Sequence, residues 1–223
     1  MTDSTGMPKN WNKMMMKKFL RAKKCDEFKI VQKDDDKLDV FYVLLKTTGG
    51  HYKDQNHILE FKTKYGSYPN VYYFPLVPPN VTFITSIYHP NISKQGTICV
   101  DILKEKNKWS PQNSIETVMM NIIALLDYPN CASPYNTDAS KLFSTCQKKY
   151  QDSIKILKYK KGNINRNVDN SEKIKLAYEE SFASYDDKVK KYNYKLDFRR
   201  YHKYFPSLEQ KNQEEKKEDT CDM

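Results

Sequence analysis

The stretch that decides the fold is residues 75–136, PLVPPNVTFITSIYHPNISKQGTICVDILKEKNKWSPQNSIETVMMNIIALLDYPNCASPYN. Its opening prolines cannot donate to a sheet ladder, so they predict a rigid connection rather than a central strand. Ser114 is a candidate N-cap for a helix that runs to Leu126, and this helix is apolar nearly all round. A helix of that kind belongs at the centre of a core, and residues 127–130, DYPN, end it.

The chain before this stretch predicts one helix and a set of strands. Four apolar residues at helical spacing predict an amphipathic first helix, lightly attached to the core and basic on its outside: Trp11, Met15, Phe19 and Ala22. Runs rich in Val, Ile, Tyr and Phe predict antiparallel strands. These runs lie at residues 40–45, 58–61, 71–74 and 81–84, with a break at Gly49 and Gly50.

The chain after the apolar helix predicts two more helical stretches, at residues 138–144 and 146–158. The order of elements is therefore helix, strands, helices, which indicates an α+β domain rather than alternating βαβ units. We expect an N-terminal helix, a four-stranded antiparallel meander sheet, a central buried helix and C-terminal helices. This domain should occupy residues 1–160.

The composition changes beyond residue 161. Residues 162–170 are polar and rich in Asn, as in a linker. An apolar stripe then predicts one helix of about 24 residues: Ile174, Tyr178, Phe182, Tyr185, Val189, Tyr192 and Leu196. This stripe could pack on the domain or on a partner, so residues 161–206 are interpreted as a helical C-terminal extension. Residues 207–223 are charged and poor in apolar residues, which predicts a disordered tail.

Charge and cysteine content limit the class of protein. The chain carries 38 Lys and Arg against 28 Asp and Glu, a balance that suits nucleic acid, an anionic membrane or an acidic protein. Cations and aromatics alternate in residues 199–204, which could hold single strands. The five cysteines are odd in number and irregular in spacing, so they predict reduced thiols rather than disulfides or a metal site. Without a membrane span or signal peptide in the first 20 residues, we expect a cytoplasmic and nuclear protein.

A series of short motifs carries a family resemblance. His89-Pro90-Asn91 begins ten residues before Cys99, Gly96 and Asp101 bracket the cysteine, and residues 109–111, WSP, follow. With the apolar helix and the Pro-Asn turn behind them, these motifs resemble the ubiquitin-conjugating enzyme family over roughly residues 7–160. The resemblance implies the UBC fold. It also implies a carrier that accepts ubiquitin from an activating enzyme as a thioester on Cys99 and passes it to lysine amines, alone or with a ubiquitin ligase.

The resemblance also implies roles for residues near Cys99. Asn91 would stabilise an oxyanion or order the loop, although a plain turn residue is the simpler reading. His89 would support the loop, with a general base as the weaker alternative. Asp101 would shape the site. Ser133 stands where many relatives carry an acidic residue. The aliphatic neighbours of Cys99 suit a thioester carrier, since a strong base there would also activate water.

Partner surfaces follow from the same resemblance. Leu76 and Pro111 would bind ubiquitin ligases, and Lys13 and Lys17 would bind the activating enzyme, although these lysines could equally just solvate a helix. ATP is consumed by the activating enzyme, so no cofactor or metal is expected in this chain. The expected substrates are lysine-bearing proteins, including the chain itself.

Three points stay open at this stage. The segment from Cys99 to Trp109 is two residues longer than in common ubiquitin carriers and matches the SUMO carrier, so the modifier is not fixed by spacing. Residues 62–73 look expanded, which would lengthen a hairpin loop. A non-catalytic scaffold and a cysteine hydrolase are the competing classes. The intact cysteine motif argues against the scaffold, and the absence of a well-placed histidine argues against the hydrolase.

Overall fold

The computed structural model describes residues 7, 9–34, 37–67, 70–104, 106–161, 170–193, 201 and 203–206. Its helices are α1 (Trp11–Ala22), α2 (Asp101–Lys104), α3 (Ile115–Asp127), α4 (Thr137–Lys161) and α5 (Asn170–Asn193). Its strands are β1 (Phe28–Asp34), β2 (Lys37–Lys46), β3 (Asn56–Lys62), β4 (Lys64–Ser67), β5 (Asn70–Tyr73) and β6 (Asn80–Phe83). The tail 207–223, the linker 162–169 and Leu196 lie outside the described residues.

The main sheet has four antiparallel strands in the order β1-β2-β3-β6, which confirms the predicted α+β architecture. One strand assignment was wrong. Residues 71–73 of the predicted run fall in β5, which pairs with β4 in a separate two-stranded ribbon. The run pairs locally because β4 lies immediately before it in the chain, and the proline turn at its end directs the chain away. The fourth strand of the main sheet is β1 instead.

Helices α1 and α3 pack in the same hydrophobic core as the inner residues of the sheet. The apolar stripe of α1 is completely buried, so the expectation of a light attachment was wrong. The indole of Trp11 donates a 2.7 Å hydrogen bond to the carbonyl of Phe74, which ties the helix to the residue that directly follows β5. In α3, the Ser114 hydroxyl accepts from Thr117 N at 3.1 Å, as expected of an N-cap.

Among the described residues after α3, the chain forms two long helices rather than the expected three. Residues 138–158 form part of one continuous helix, α4, because no Gly or Pro interrupts the chain between the two predicted stretches. Helix α5 has 24 residues, the predicted length. Its stripe packs on the domain, since Phe182, Tyr185 and Val189 are buried in the main core.

Polar contacts also hold α5 against the domain. The Tyr185 hydroxyl lies 3.0 Å from the hydroxyl of Tyr52, and Asp186 Oδ1 lies 2.8 Å from Nδ1 of His51. The other ring nitrogen of His51 lies 3.0 Å from the hydroxyl of Tyr178. Both ring nitrogens of His51 are therefore within hydrogen-bond distance of side chains of α5.

Residues 201 and 203–206 pack on the outer face of the sheet. Phe205 is buried against Tyr42, Leu44 and Ile58 of β2 and β3. The rings of Tyr201 and Tyr204 pack on Tyr42 at centroid distances of 5.3 and 4.8 Å. Residues 199–204 were predicted as a cluster that could bind single-stranded nucleic acid, and its two tyrosines are instead used in packing on the sheet. Residues 199, 200 and 202 of that cluster lie outside the described residues. None of the described helices has the length and hydropathy needed to cross a membrane.

Candidate active site

The loop that carries Cys99 is fastened to β6. Gly96 has φ +82°, and a Cβ at this position would lie 1.9 Å from the carbonyl oxygen of Phe83. The same close approach lets Phe83 N donate to the carbonyl of Gly96 at 2.9 Å. Only glycine combines this backbone conformation with this distance. Three residues later, Cys99 N donates to the carbonyl of Asn91 at 2.8 Å, which sets the position of the thiol.

His89 lies beneath this loop and is fully buried. Its Nδ1 accepts from Asn91 N at 2.9 Å, and its Nε2 donates to the carbonyl of Leu125 in α3 at 2.9 Å. Burial lowers the pKa of His89 to about 3, which outweighs the opposing effect of the Leu125 carbonyl. The ring is therefore neutral at physiological pH and both nitrogens are occupied. Such a ring supports the loop and cannot serve Cys99 as a base.

Asn91 clasps the loop that follows α3. Its Nδ2 donates to the carbonyl of Asn130 at 2.7 Å and to that of Ser133 at 3.5 Å, while its Oδ1 accepts from Asn130 N at 2.8 Å. The 2.7 Å bond engages one amide hydrogen, the 3.5 Å contact holds the other only weakly, and the side chain is fully buried. In this arrangement Asn91 ties the loop of Cys99 to the turn after α3.

Cys99 itself is half-buried at the edge of the groove. Its sulfur lies 3.6 Å from the carbonyl oxygen of Ser133, and Lys104 Nζ donates to it at 3.0 Å. The same ammonium sits 4.0 Å from the ring centroid of Tyr135, a cation–π contact. Sequence reasoning missed Lys104 and Tyr135. Lys104 comes within reach because the chain turns into α2 immediately after the cysteine, and that short helix was not predicted.

The other two candidates beside Cys99 contribute differently from each other. Ser133 reaches the sulfur with its main-chain carbonyl. Asp101 begins α2, and its carboxylate pairs with Lys108 Nζ at 2.7 Å, with both side chains about half exposed. The segment between Cys99 and Trp109 contains α2 and a short 3-10 helix, Lys106–Lys108, that brings Lys108 back to Asp101.

The loops of Leu76 and Pro111 are joined. The indole of Trp109 donates to the carbonyl of Pro75 at 2.8 Å, directly before Leu76. Leu76 is 52% exposed, and Pro111 is exposed as well. Most of the region 62–73, which was predicted to be expanded, forms the β4–β5 hairpin. The Tyr65 hydroxyl of this hairpin donates to the carbonyl of Pro78 in the Leu76 loop at 2.9 Å.

Lys13 and Lys17 lie exposed on the outer face of α1. Met16 and Leu20 share that solvent-exposed part of the helix, at 41% and 51% exposure. The face is therefore basic with apolar side chains between the charges.

Four cysteines lie among the described residues, and all four are free thiols: Cys25, Cys99, Cys131 and Cys146.

Comparisons with known proteins agree with this geometry. A family model described as ubiquitin-conjugating enzyme matches residues 13–157. Ubiquitin-conjugating enzyme E2 N of Macaca fascicularis is 47% identical over 72 residues, which are 32% of this chain and 46% of the relative. Ubiquitin-conjugating enzyme E2 2 of Neurospora crassa is 39% identical over 82 residues, which are 37% of this chain and 53% of the relative.

The chain spans about half the length of these curated relatives. The family model, in contrast, covers well over half of the 223 residues, including the cysteine loop, α3 and most of α4. The chain therefore belongs to the ubiquitin-conjugating enzyme family.

Proposed function

We propose that the chain carries ubiquitin as a thioester on Cys99 and transfers it to lysine amines. The observation that carries this proposal is the setting of Cys99: a half-buried thiol at the rim of a groove whose walls are held by backbone hydrogen bonds. His89, the histidine of the cysteine motif, has both nitrogens engaged elsewhere. A hydrolase would need a histidine in contact with the thiol, so the groove suits storage of an acyl group better than its hydrolysis.

Transfer requires a neutral lysine, and an ordinary lysine with a pKa of about 10.4 is almost entirely charged at neutral pH. Partial desolvation of the incoming amine in the groove would lower its pKa and raise the reactive fraction. The groove wall offers main-chain oxygens such as that of Ser133, which lies 3.6 Å from the sulfur and can accept from an amine. We infer that Asn91 acts here by holding this wall in place.

The proposed partners are ubiquitin, the activating enzyme, ubiquitin ligases and lysine-bearing substrates, including the chain itself. Leu76 and Pro111, exposed on two loops joined through Trp109, suit a small and exchangeable ligase interface. Lys13 and Lys17 on α1 suit an acidic surface of the activating enzyme. ATP is consumed by that enzyme, and this chain is proposed to need no cofactor.

A narrower proposal concerns the source of the chain. Its composition, rich in Lys, Asn and Tyr, together with the helical extension, resembles the ubiquitin-conjugating enzyme of African swine fever virus. On that resemblance we propose a viral protein that acts in the cytoplasm and nucleus of its host cell. Loading by the host's activating enzyme would then be the interaction on which its activity depends.

A loading assay tests the central proposal. The purified chain is incubated with activating enzyme, ATP and ubiquitin and resolved on a gel without reductant. We expect a band heavier by one ubiquitin that disappears with reductant, is absent in Cys99→Ala and persists in Cys25→Ala, the matched control on another half-buried free thiol. Loading with SUMO alone would correct the modifier. Failure with both modifiers would contradict the carrier function.

A further inference from the structure

The ammonium of Lys104 is in contact with the atom that would carry the modifier. Among the described residues, Cys99 Sγ has two hydrogen-bond neighbours: Lys104 Nζ at 3.0 Å and the carbonyl of Ser133 at 3.6 Å. The lysine is a donor, and the sulfur can accept from it in both the thiol and the thiolate form. A hydrogen bond from a cation strengthens when its acceptor becomes an anion.

Two supports hold Lys104 in this position. Its backbone belongs to α2, which begins two residues after Cys99. Its ammonium lies over the ring of Tyr135, whose own backbone N donates to the carbonyl of Pro90 at 2.8 Å. Tyr135 is thereby fixed to the same loop that includes His89 and Asn91. The contact between lysine and sulfur is therefore built from both walls of the groove.

Lys104 remains protonated in this setting. Partial burial acts to lower its pKa, but the hydrogen bonds to Cys99 and Tyr135 outweigh burial and leave the pKa raised. An ammonium has no lone pair with which to attack a thioester. This amine, 3.0 Å from the sulfur, is thus kept as a donor of hydrogen bonds rather than as an acceptor of the modifier.

We propose that Lys104 is a catalytic residue of the thioester chemistry, one that stabilises negative charge on Cys99 Sγ and is held in place by Tyr135. The proposal rests on the carrier function stated above. It assigns to Lys104 the same task in both half-reactions, because the sulfur is a thiolate when it attacks and again when it leaves.

The steps balance as follows. In loading, Cys99 Sγ forms a bond to the carbonyl carbon of the incoming thioester, and the thiolate of the activating enzyme leaves with the electron pair. In transfer, a neutral lysine amine forms the C–N bond, the C–S bond breaks, and Cys99 leaves as thiolate while the amine nitrogen gives its proton to solvent. Lys104 donates a hydrogen bond to sulfur in both steps and keeps its proton throughout.

The first test needs no ubiquitin. The rate at which iodoacetamide alkylates Cys99 is followed from pH 6 to pH 10, and the modified peptide is quantified by mass spectrometry because the chain has five cysteines. Lys104→Met removes the charge and keeps the length of the side chain. We expect it to slow alkylation at pH 7 by about three- to tenfold and to move the pH profile upward. Lys104→Arg should retain most of the wild-type rate.

Matched variants separate this effect from loss of net charge. Lys94→Met removes an exposed lysine from the turn before the cysteine and should leave the rate unchanged. Tyr135→Leu removes the aromatic face under the ammonium and should slow alkylation about twofold. If Lys104→Met reacted like Lys94→Met across the whole pH range, the proposal would be overturned.

The second test measures discharge of preloaded ubiquitin to free lysine in a single turnover. Lys104→Met should slow discharge by a similar factor, with wild-type behaviour in Lys94→Met. Equal discharge rates in the two variants would overturn the proposal even where loading is normal. Failure of the wild-type chain to load at all, with the alkylation difference intact, would instead overturn the carrier function and leave the coupling of Lys104 to Cys99 supported.

Discussion

Asn91 and Asn130 exchange two hydrogen bonds across the groove, although they lie 39 positions apart in the chain. Asn91 Nδ2 donates to the carbonyl of Asn130, and Asn130 N donates back to Asn91 Oδ1. The Asn91 side chain thus provides hydrogen-bond partners for two main-chain groups of the turn after α3, the carbonyl and the N–H of Asn130. The two loops that form the groove are held together by this pair.

Replacing Asn91 should therefore lower stability as well as activity. We expect Asn91→Ala to reduce the free energy of unfolding by about 1–3 kcal/mol, because it removes the two hydrogen bonds that the fully buried Asn91 side chain makes to the main chain of Asn130. Asn91→Asp should cost at least as much, since it places a carboxylate oxygen against the Asn130 carbonyl. Urea unfolding followed by tryptophan fluorescence measures both. Asn121→Ala, which removes an exposed amide on α3, is the control and should stay within about 0.5 kcal/mol.

Gly96 should tolerate no side chain. A Cβ there would approach the main chain of Phe83 to 1.9 Å at a φ of +82°, so the loop of Cys99 would have to leave β6. We expect Gly96→Ala to lower the free energy of unfolding by more than about 2 kcal/mol and to impair loading. Gly49→Ala is the control, because nothing lies within 4 Å of its added Cβ. Equal melting temperatures for the two variants would contradict this account of the loop.

Helix α5 should be part of the stability of the domain. Tyr185 is completely buried and its hydroxyl is within hydrogen-bond distance of Tyr52. Tyr185→Ala should lower the free energy of unfolding by about 3–5 kcal/mol, through the lost apolar burial and the cavity left behind. Tyr128→Ala removes a tyrosine that is 81% exposed and should have little effect. An extension that folds apart from the domain would instead give two unfolding transitions, with Tyr185→Ala moving one of them.

Two buried histidines should make the fold sensitive to acid. Burial lowers the pKa of His57 to about 4 and that of His89 to about 3, whereas an unfolded histidine titrates near 6.5. Below about pH 6.5 the unfolded chain therefore binds more protons than the folded chain, and stability falls as the pH decreases toward these values. Each histidine contributes a slope of up to about 1.4 kcal/mol per pH unit.

His57→Leu isolates one of these contributions. Among the described residues, Nε2 of His57 has no hydrogen-bond partner and Nδ1 has only a 3.5 Å contact with the hydroxyl of Thr85, so an apolar side chain should be accepted at this position with the loss of that contact. We expect the variant to match the wild type near pH 7.5 and to lose less stability between pH 6.5 and 4. Denaturant unfolding at a series of pH values provides the measurement. Parallel pH profiles for the two proteins would show that His57 is not the group responsible.

Local patterns in the sequence predicted the elements that are determined by residues close to one another in the chain. The apolar helix α3, its cap at Ser114 and the length of α5 follow from periodicity and capping chemistry. The depth of α1 does not, because it is decided by contacts with distant segments. Trp11, for example, is fixed by a carbonyl 63 positions away. The pairing of residues 71–73 with β4 is local, but a strand pattern alone does not say which strand is the partner.

The candidate site divides in the same way. The motif around Cys99 singled out the cysteine that we propose as the nucleophile, since its residues are adjacent in the chain. Lys104 and Tyr135 were missed because their meeting depends on the short helix α2 and on a main-chain bond between Tyr135 and Pro90. No periodic pattern reports such a contact. A basic residue five positions after a reactive cysteine becomes informative only once the turn between them is known.

The groove is held in place largely by hydrogen bonds between main-chain groups, so its shape depends little on which side chains line it. The carbonyl of Pro90 accepts from both Tyr135 N and Asn136 N, and the carbonyl of Asn91 accepts from Cys99 N. Main-chain bonds survive most substitutions of the side chains that project from them. Side chains that line the groove can therefore change while the position of the Cys99 sulfur is kept.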